Sequence, residues 1–273
     1  SGTFLNYVDK NHCFTDQNSE VNLEDANGRA MWALGYQTYM ASKMPFDNDA
    51  ICRNTECIFQ QGLDAMKCYR SPRAIAFIVK GLYYFILSRP STCLLEKMTV
   101  YADKLVERFS MESSEDWVWF EASLTYGNAV LPQALLMAHE LTGKKVYKIT
   151  AKKSFDFLLS KIFKENSIRV VSNVAWLAKG QELPLEFQGG EQPIDVAYTI
   201  LALKTFHKVF PNAGYDQKME GAFNWFMGDN ALQQTIYNPC TGGCYDGLEK
   251  NNVNLNQGAE STISYLLARM AFE

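Results

Sequence analysis

Two kinds of helical segment alternate along the chain, and this alternation constrains the fold more than any other feature. Residues 74–88, AIAFIVKGLYYFILS, are apolar nearly all round, whereas residues 94–109 carry one apolar and one charged face. A helix that is apolar all round has to be buried, while an amphipathic helix keeps one face in water. The alternation therefore predicts an inner set of buried helices wrapped by an outer set of half-exposed ones.

The apolar period and the helix-boundary residues predict nine helices. Ser71 and Pro72, for example, have the pattern of an N-cap and a first-turn proline. The predicted helices cover residues 23–43, 49–69, 72–88, 94–109, 127–141, 145–163, 192–210, 215–228 and 259–272. The first, third, fifth, seventh and ninth are the predicted buried set. Helices that alternate in this way form hairpins, so all inner helices run in one direction and their N-terminal ends share one face.

Residues 2–23 and 164–190 lack a helical period and predict short strands, ribbons and loops. The fold class predicted from the pattern is therefore all-α, a ring of helical hairpins with short strands in its loops. We expect the whole chain, residues 1–273, to form a single domain.

Charge and composition exclude several classes of partner. The net charge is −4, the pI is about 5.5, and no block of Lys or Arg occurs, so neither a nucleic-acid nor an anionic-membrane partner is predicted. Lys80 and Gly81 interrupt the longest apolar run, so no membrane span is expected. The sequence has no P-loop, no glycine-rich dinucleotide motif and no cluster of metal ligands, and it therefore predicts neither a cofactor nor a metal.

The seven cysteines, an odd number at irregular spacing, do not form the pattern of a disulfide framework. We expect reduced and mostly buried thiols, which favours a cytoplasmic protein. An exported form whose leader has been removed stays open.

The most unusual stretch is residues 115–133, EDWVWFEASLTYGNAVLPQ. It brings two tryptophans together with carboxylates and an amide where a buried helix begins. Aromatic faces beside such polar groups suit a sugar, whose C–H face stacks on the ring while its hydroxyls bind the polar atoms. The alternative is that the tryptophans are core residues and the acids are caps.

The other predicted inner helices begin with similar residues, which predicts a shared sugar-binding rim. The residues that we expect to bind substrate are Arg29, Trp117, Trp119, Tyr126, Asn128, Gln192, Tyr245, Asn256, Gln257 and Glu260.

Glycoside hydrolysis requires two carboxyl groups, one as general acid and one as base or nucleophile. Asp116 and Asp195 are the favoured pair, with Asp25, Glu121 and Asp246 as rivals. For each of them, a helix cap or a salt-bridge partner is the alternative role. The three histidines lie away from the rim, so a lyase or epimerase would have to use Tyr126 or Tyr245 as its base.

Five segments resemble one known family: SEVNLEDANGRAMWALG, SPRAIAFIVKGL, DWVWFEASLTYGNAVLPQALL, QPIDVAY, and NPCTGGCYDGL with NQGAESTISYLLA. The family consists of bacterial all-helical domains described as glycosyltransferase-associated or glycosidase proteins, some of them fused behind a glycosyltransferase domain. The resemblance implies an (α/α) toroid of the six-hairpin glycosidase type and a carbohydrate ligand. It also implies a glycosyltransferase as a partner, but no catalytic residue.

A full six-hairpin barrel has twelve helices, so the nine predicted here leave two alternatives. The ring is incomplete, or further helices lie in residues 2–23 and 164–190. Two functions also stay open: a glycosidase-like enzyme acting on an oligosaccharide or glycoconjugate, and a non-catalytic carbohydrate-binding or scaffolding domain.

Overall fold

The computed structural model describes residues 2–44, 49–184 and 186–272, with side chains described in all of these except 49–52. Helices make up 56% of the chain. They are α1 (Gln17–Glu20), α2 (Glu24–Ala41), α3 (Asp49–Ala65), α4 (Pro72–Ser88), α5 (Thr92–Glu112), α6 (Val130–Thr142), α7 (Lys145–Ile162), α8 (Pro193–Val209), α9 (Tyr215–Met227) and α10 (Ala259–Phe272). All nine predicted helices are present as α2 to α10, and the four-residue α1 was not predicted.

In the described part of the chain, six short strands pair into three antiparallel ribbons in the loops. They are β1 (Ser123–Leu124) with β4 (Leu177–Ala178), β2 (Phe163–Lys164) with β3 (Ser167–Ile168), and β5 (Gly247–Leu248) with β6 (Val253–Asn254). The prediction of short strands in residues 164–190 is thereby confirmed. Each strand has only two residues, so the ribbons shape loops rather than build a core.

The chain divides into two compact units. Unit 1 consists of Ser1–Glu107 and Ala134–Ile149, and unit 2 consists of Arg108–Gln133 and Thr150–Glu273. Each unit has buried aromatic and aliphatic side chains of its own, among them Phe59 and Phe77 in unit 1 and Trp117 and Trp225 in unit 2.

In unit 1, α2 and α4 pack backbone against backbone. A Cβ placed on Gly35 would lie 2.1 Å from the carbonyl oxygen of Gly81, and one on Gly81 would lie 2.5 Å from that of Met31. Both distances are far below van der Waals contact, so only glycine fits at these two positions. The pair fixes α2 against α4, in which fourteen of seventeen residues are buried, as predicted for an inner helix.

The first two carboxylates of α2 cap the start of α4. Glu24 Oε2 accepts hydrogen bonds from the backbone N–H groups of Arg70 (2.9 Å) and Ser71 (2.6 Å), and Asp25 Oδ1 accepts one from Ser71 Oγ. Ser71 Oγ in turn accepts from the N–H of Ala74, which confirms the predicted N-cap. The N-terminal ends of α2 and α4 are therefore adjacent, as the parallel arrangement requires within this unit.

In unit 2, α8 packs between α9 and α10. Eleven of its seventeen residues are buried, and the rings of Phe155 and Phe206 stack with centroids 4.1 Å apart. Gln192 takes the extended conformation of an N-cap and Pro193 occupies the first turn. Because proline lacks an N–H and has a fixed φ, it suits this position, and it sets where α8 begins.

Three expectations about burial are wrong. The first predicted inner helix, α2, was expected to be buried, but only five of its eighteen residues are. The last helix, α10, was predicted to be buried, but Ile263, Leu266 and Met270 are exposed on it. The cysteines were predicted to be mostly buried, yet of the six with described side chains only Cys244 is buried. Cys52 lies outside the described side chains. The prediction of a cytoplasmic protein was based on buried thiols, so the exposed cysteines do not support it.

Candidate functional site

The segment that precedes α8 lies directly against the β5 strand in unit 2. Glu191 and Leu248 exchange two backbone hydrogen bonds, of 3.2 and 2.9 Å. Gly247 has a φ of 141°, and a Cβ there would lie 2.2 Å from the carbonyl oxygen of Glu191. Glycine at 247 is therefore required for the close approach, which brings the start of α8 next to the loop that carries Asp246.

A polar cavity of about 340 Å³ opens at this junction. Three residues predicted from the sequence lie on its wall: Gln192, Asp246 and Glu260. Glu191 and Glu249 also line it. The cavity thus unites the starts of α8 and α10 with the turn after Cys244.

Asp246 is held by a set of donors that stabilise its ionised form. Gly258 N–H donates to Oδ1 at 2.9 Å, Asn256 Nδ2 donates to Oδ2, and Ser261 adds a third bond. Partial burial raises the pKa of Asp246, but these three hydrogen bonds outweigh it, so the net pKa lies below the ordinary value. Asp246 is therefore a carboxylate across the neutral range.

Glu191 has the opposite environment. Its side chain is only 2% exposed, and burial raises its pKa to about 7. The hydrogen bond from Trp225 Nε1 to Oε2 (2.9 Å) and the charge of Arg169 lower the pKa, whereas the charge of Asp195 raises it. Oε1 lies 3.9 Å from Arg169 Nε and has no hydrogen-bond partner among the described residues.

Two carboxyl groups with pKa values pushed in opposite directions therefore border one cavity. Such a pair can supply a proton donor and an ionised base or nucleophile at the same pH. The sequence named Asp246 only as a rival carboxylate and gave Glu191 no role. What it could not foresee is the burial of Glu191 beside Trp225, since Trp225 follows it by 34 residues.

Asp195 and Asn128 meet where α6 and α8 begin. Asp195 is buried and its Oδ1 accepts from the N–H of Gly127 at 2.5 Å, while Asn128 bonds both the N–H and the carbonyl of Thr125. Asp195 and Asn128 line a hollow of only about 10 Å³. The structure brings the two residues together, but in a space smaller than a sugar.

The two tryptophans of the central stretch are core residues. Trp119 is fully buried and Trp117 is 2% exposed, with its Nε1 donating to the carbonyl of Glu121 at 2.7 Å. Neither indole offers an open face for a sugar, so the predicted stacking role is not supported by their position. Asp116 is exposed and Glu121 is half-buried.

A more open hollow of about 520 Å³ lies beside this stretch. Its wall includes Phe109, Phe157, Lys153 and Glu115. Among the described residues that line it, Glu115 is the one carboxylate, and Asp116 does not line it. Because hydrolysis of a glycoside requires two carboxyl groups, the smaller cavity at Asp246 is the better candidate.

The remaining predicted residues have other neighbours. In unit 1, Asp25 binds Ser71, and the Arg29 guanidinium carbon lies 5.7 Å from the ring centroid of Phe77. In unit 2, Tyr245 OH accepts from Asn238 (3.0 Å), Gln257 Oε1 accepts from Thr241 (2.6 Å), and Tyr126 is half-buried.

No protein-family model matches the sequence, and neither does any curated protein. Solved structures do resemble it, and their likeness shows the fold class, an all-α (α/α) toroid of helical hairpins of the six-hairpin type. The fold-class prediction is confirmed. No helix in the described part of the chain is long and apolar enough to cross a membrane.

Three of these structures are carbohydrate-processing enzymes. An unsaturated glucuronyl hydrolase specific for heparin has a TM-score of 0.60 at 14% identity, over 85% of this chain and 62% of its own. A sugar epimerase from a ruminal bacterium has a TM-score of 0.66 at 10% identity, over 99% of this chain and 75% of its own. The GH76 alpha-mannanase of Bacteroides thetaiotaomicron has a TM-score of 0.61 at 10% identity, over 89% of this chain and 68% of its own. The chain thus spans less than two thirds of the length of the heparin-specific hydrolase.

Proposed function

We propose that this chain processes a carbohydrate as a glycoside hydrolase-like protein, with Glu191 and Asp246 as its acid–base pair. The observation that carries the proposal is the pair of opposed pKa shifts at one polar cavity. A cavity of about 340 Å³ has room for one or two sugar rings, and carboxylate and amide walls suit their hydroxyls.

Glu191 is the proposed general acid. With a pKa of about 7, it carries a proton in neutral and mildly acidic solution. Trp225 donates to Oε2, and Oε1, which has no hydrogen-bond partner among the described residues, is the oxygen proposed to carry the proton. Because Oε1 is buried, the site has to open before it reaches a ligand. That proton passes to the glycosidic oxygen as its bond to the anomeric carbon breaks.

Asp246 is the proposed partner carboxylate. Its three donors hold it in one orientation and keep it ionised. It completes the reaction in one of two ways: it takes a proton from the water that attacks the anomeric carbon, or it attacks that carbon itself before water releases the sugar. The anomeric configuration of the first product distinguishes an inverting from a retaining course.

Substitution of each carboxyl group tests this assignment. We expect Glu191→Gln and Asp246→Asn each to lower kcat for oligosaccharide hydrolysis by about a hundredfold or more, because a positioned acid or base contributes on that order. Glu220→Gln, on the exposed side of α9, is the matched control and keeps full activity. Full activity in both site variants would reject the pair.

Asp116 and Asp195 stay in the proposal as the alternative pair, and Asp116→Asn with Asp195→Asn tests them in the same assay. Asp195 would act close to Glu191, because the charge of Asp195 raises the pKa of Glu191.

A second candidate function is non-catalytic carbohydrate binding. The burial of the Glu191 side chain favours it, because a carboxyl group with 2% exposure is accessible only if the site rearranges. Under this alternative, the wild-type chain binds oligosaccharides and releases no product in any assay. A glycosyltransferase partner and a cytoplasmic location also remain proposals. Co-purification from cell extract and fractionation of cells that express the chain test them.

A further inference from the structure

Acidic side chains dominate the wall of the cavity at Asp246. Four carboxyl groups border it, from Glu191, Asp246, Glu249 and Glu260. Among the described residues that line it, no Lys and no Arg occurs. The other polar groups on the wall are neutral amides and hydroxyls, such as those of Gln192 and Ser261.

Arg169 is a basic group that reaches Glu191, and its guanidinium is engaged by other partners as well. Its two Nη atoms donate to the backbone carbonyls of Pro184 (2.6 Å) and Glu186 (2.8 Å), and its Nε is 3.9 Å from Glu191 Oε1. Arg169 borders a separate hollow of about 20 Å³ that also includes Glu191. Its charge therefore acts on Glu191 rather than on a ligand in the larger cavity.

The wall thus presents negative charge to whatever enters. Asp246 is held ionised by its donors, and Glu249 and Glu260 are exposed carboxylates. A ligand carboxylate within several ångströms of these groups would be repelled by each of them, whereas an ammonium group would be attracted. Neutral sugar hydroxyls are not repelled by this negative charge, and they can donate hydrogen bonds to the carboxylates.

We infer that the cavity takes sugar residues without an acid group, with amino sugars bound more tightly than neutral ones and uronic acids excluded. This inference rests on the proposed function, since it concerns the ligand of the same cavity. It separates this chain from the unsaturated glucuronyl hydrolases that share its fold, whose names state a uronic-acid substrate.

The test uses matched methyl glycosides with three charge states at one ring: glucoside, glucuronide and glucosaminide, repeated in the galacto and manno series. Affinities are measured by NMR titration of the whole chain at pH 7 and low salt. In the series that binds, we expect the glucuronide to bind at least about tenfold more weakly than the glucoside, and the glucosaminide more tightly. The differences shrink in 0.5 M NaCl, because salt screens exposed charges.

Two variants test whether the carboxylates on the cavity wall cause the selectivity against uronides. Glu249→Gln and Glu260→Gln each remove one carboxylate, and each should narrow the gap between uronide and neutral glycoside by about two- to fivefold. Glu220→Gln, outside the cavity, should leave the gap unchanged. Uronides that bind as tightly as neutral glycosides, with both variants unchanged, overturn the inference and leave the proposed function standing. Failure of every glycoside and of longer neutral oligosaccharides to bind overturns the proposed function itself.

Discussion

Asp195 Oδ1 accepts a hydrogen bond of 2.5 Å from the backbone N–H of Gly127, 68 positions earlier in the chain. Gly127 has a φ of 58° and is buried, so its N–H depends on this carboxylate for a partner. The bond ties the start of α8 to the turn before α6 within unit 2. Asp195, which the sequence predicts to be catalytic, therefore has a structural role in this fold.

Substitution tests the structural role of Asp195. Asp195→Ala leaves a buried N–H without its acceptor and should lower the free energy of unfolding by about 1–3 kcal/mol. Asp195→Asn keeps an acceptor oxygen and should cost less than half of that. Urea denaturation of both variants measures the difference. Equal losses would show that the bond to Gly127 contributes little.

The raised pKa of Glu191 predicts that stability depends on pH. Its pKa is about 7 in the folded chain and about 4.5 when unfolded, so the folded state binds the proton more tightly. The contribution of Glu191 to the free energy of unfolding is complete below the pKa that this group has in the unfolded chain, and it is lost as the pH rises through about 7. The loss between pH 4.5 and pH 8 is on the order of 3 kcal/mol.

Glu191→Gln removes the titrating group and should flatten this part of the stability profile. Unfolding free energies of wild type and variant at pH 5 and pH 8 give the comparison. An unchanged slope in the variant would place the pH dependence in other groups.

If Glu191 is the general acid, catalysis should decline at alkaline pH. The rate constant kcat/KM should fall about tenfold per pH unit above pH 7, because the proton to be donated is lost. Asp246 has a lowered pKa, so its protonation limits the rate only in acid. A pH–rate profile from pH 3 to pH 9 measures both limits. An alkaline limit that lies well above pH 8 would argue against Glu191.

The contact between Gly35 and Gly81 predicts a sensitive point in unit 1. Gly35→Ala places a methyl group 2.1 Å from the Gly81 carbonyl oxygen, so α2 and α4 have to separate. We expect a loss of about 3 kcal/mol or more in stability, or failure to fold, because overpacking shifts backbone as well as side chains. Ala33→Ser, at an exposed position of the same helix, is the control and should change stability by less than about 1 kcal/mol. A Gly35→Ala chain as stable as the control would contradict the close packing.

Trp119 provides a test of the sugar-stacking hypothesis for the central stretch. Its indole is fully buried and its Nε1 has no hydrogen-bond partner among the described residues. Trp119→Phe removes that unsatisfied donor and should leave the affinity for oligosaccharides unchanged within about twofold. A tenfold or greater loss of affinity in a folded Trp119→Phe chain would restore the stacking role.

Local features were predictable from the sequence, and features that depend on distant neighbours were not. Ser71 and Pro72 define the start of α4 by local hydrogen bonding, so the cap was predicted correctly. Glu24 lies in the first turn of α2, but its carboxylate caps the start of α4 through the N–H groups of Arg70 and Ser71, which follow it by 46 and 47 residues. The exposure of Ile263 and Leu266 was missed because an apolar composition does not reveal which faces find a partner.

The same limit applies to the candidate site. The sequence named Asp246, Gln192 and Glu260 as candidate site residues, and the structure brings these three to one cavity. The altered pKa values of Glu191 and Asp246 arise from contacts with residues such as Trp225 and Asn256, which only the folded chain supplies. Chemistry of the residues was therefore predictable, but their electrostatic environment was not.

One measurement tests the central claim most directly: the release of reducing sugar from a panel of neutral, amino and acidic oligosaccharides by wild type, Glu191→Gln and Asp246→Asn. The account predicts turnover by wild type on at least one panel member and a loss of about a hundredfold or more in each variant, with binding retained. Turnover that survives in both variants, or wild type that neither binds nor cleaves any member of the panel, would contradict it.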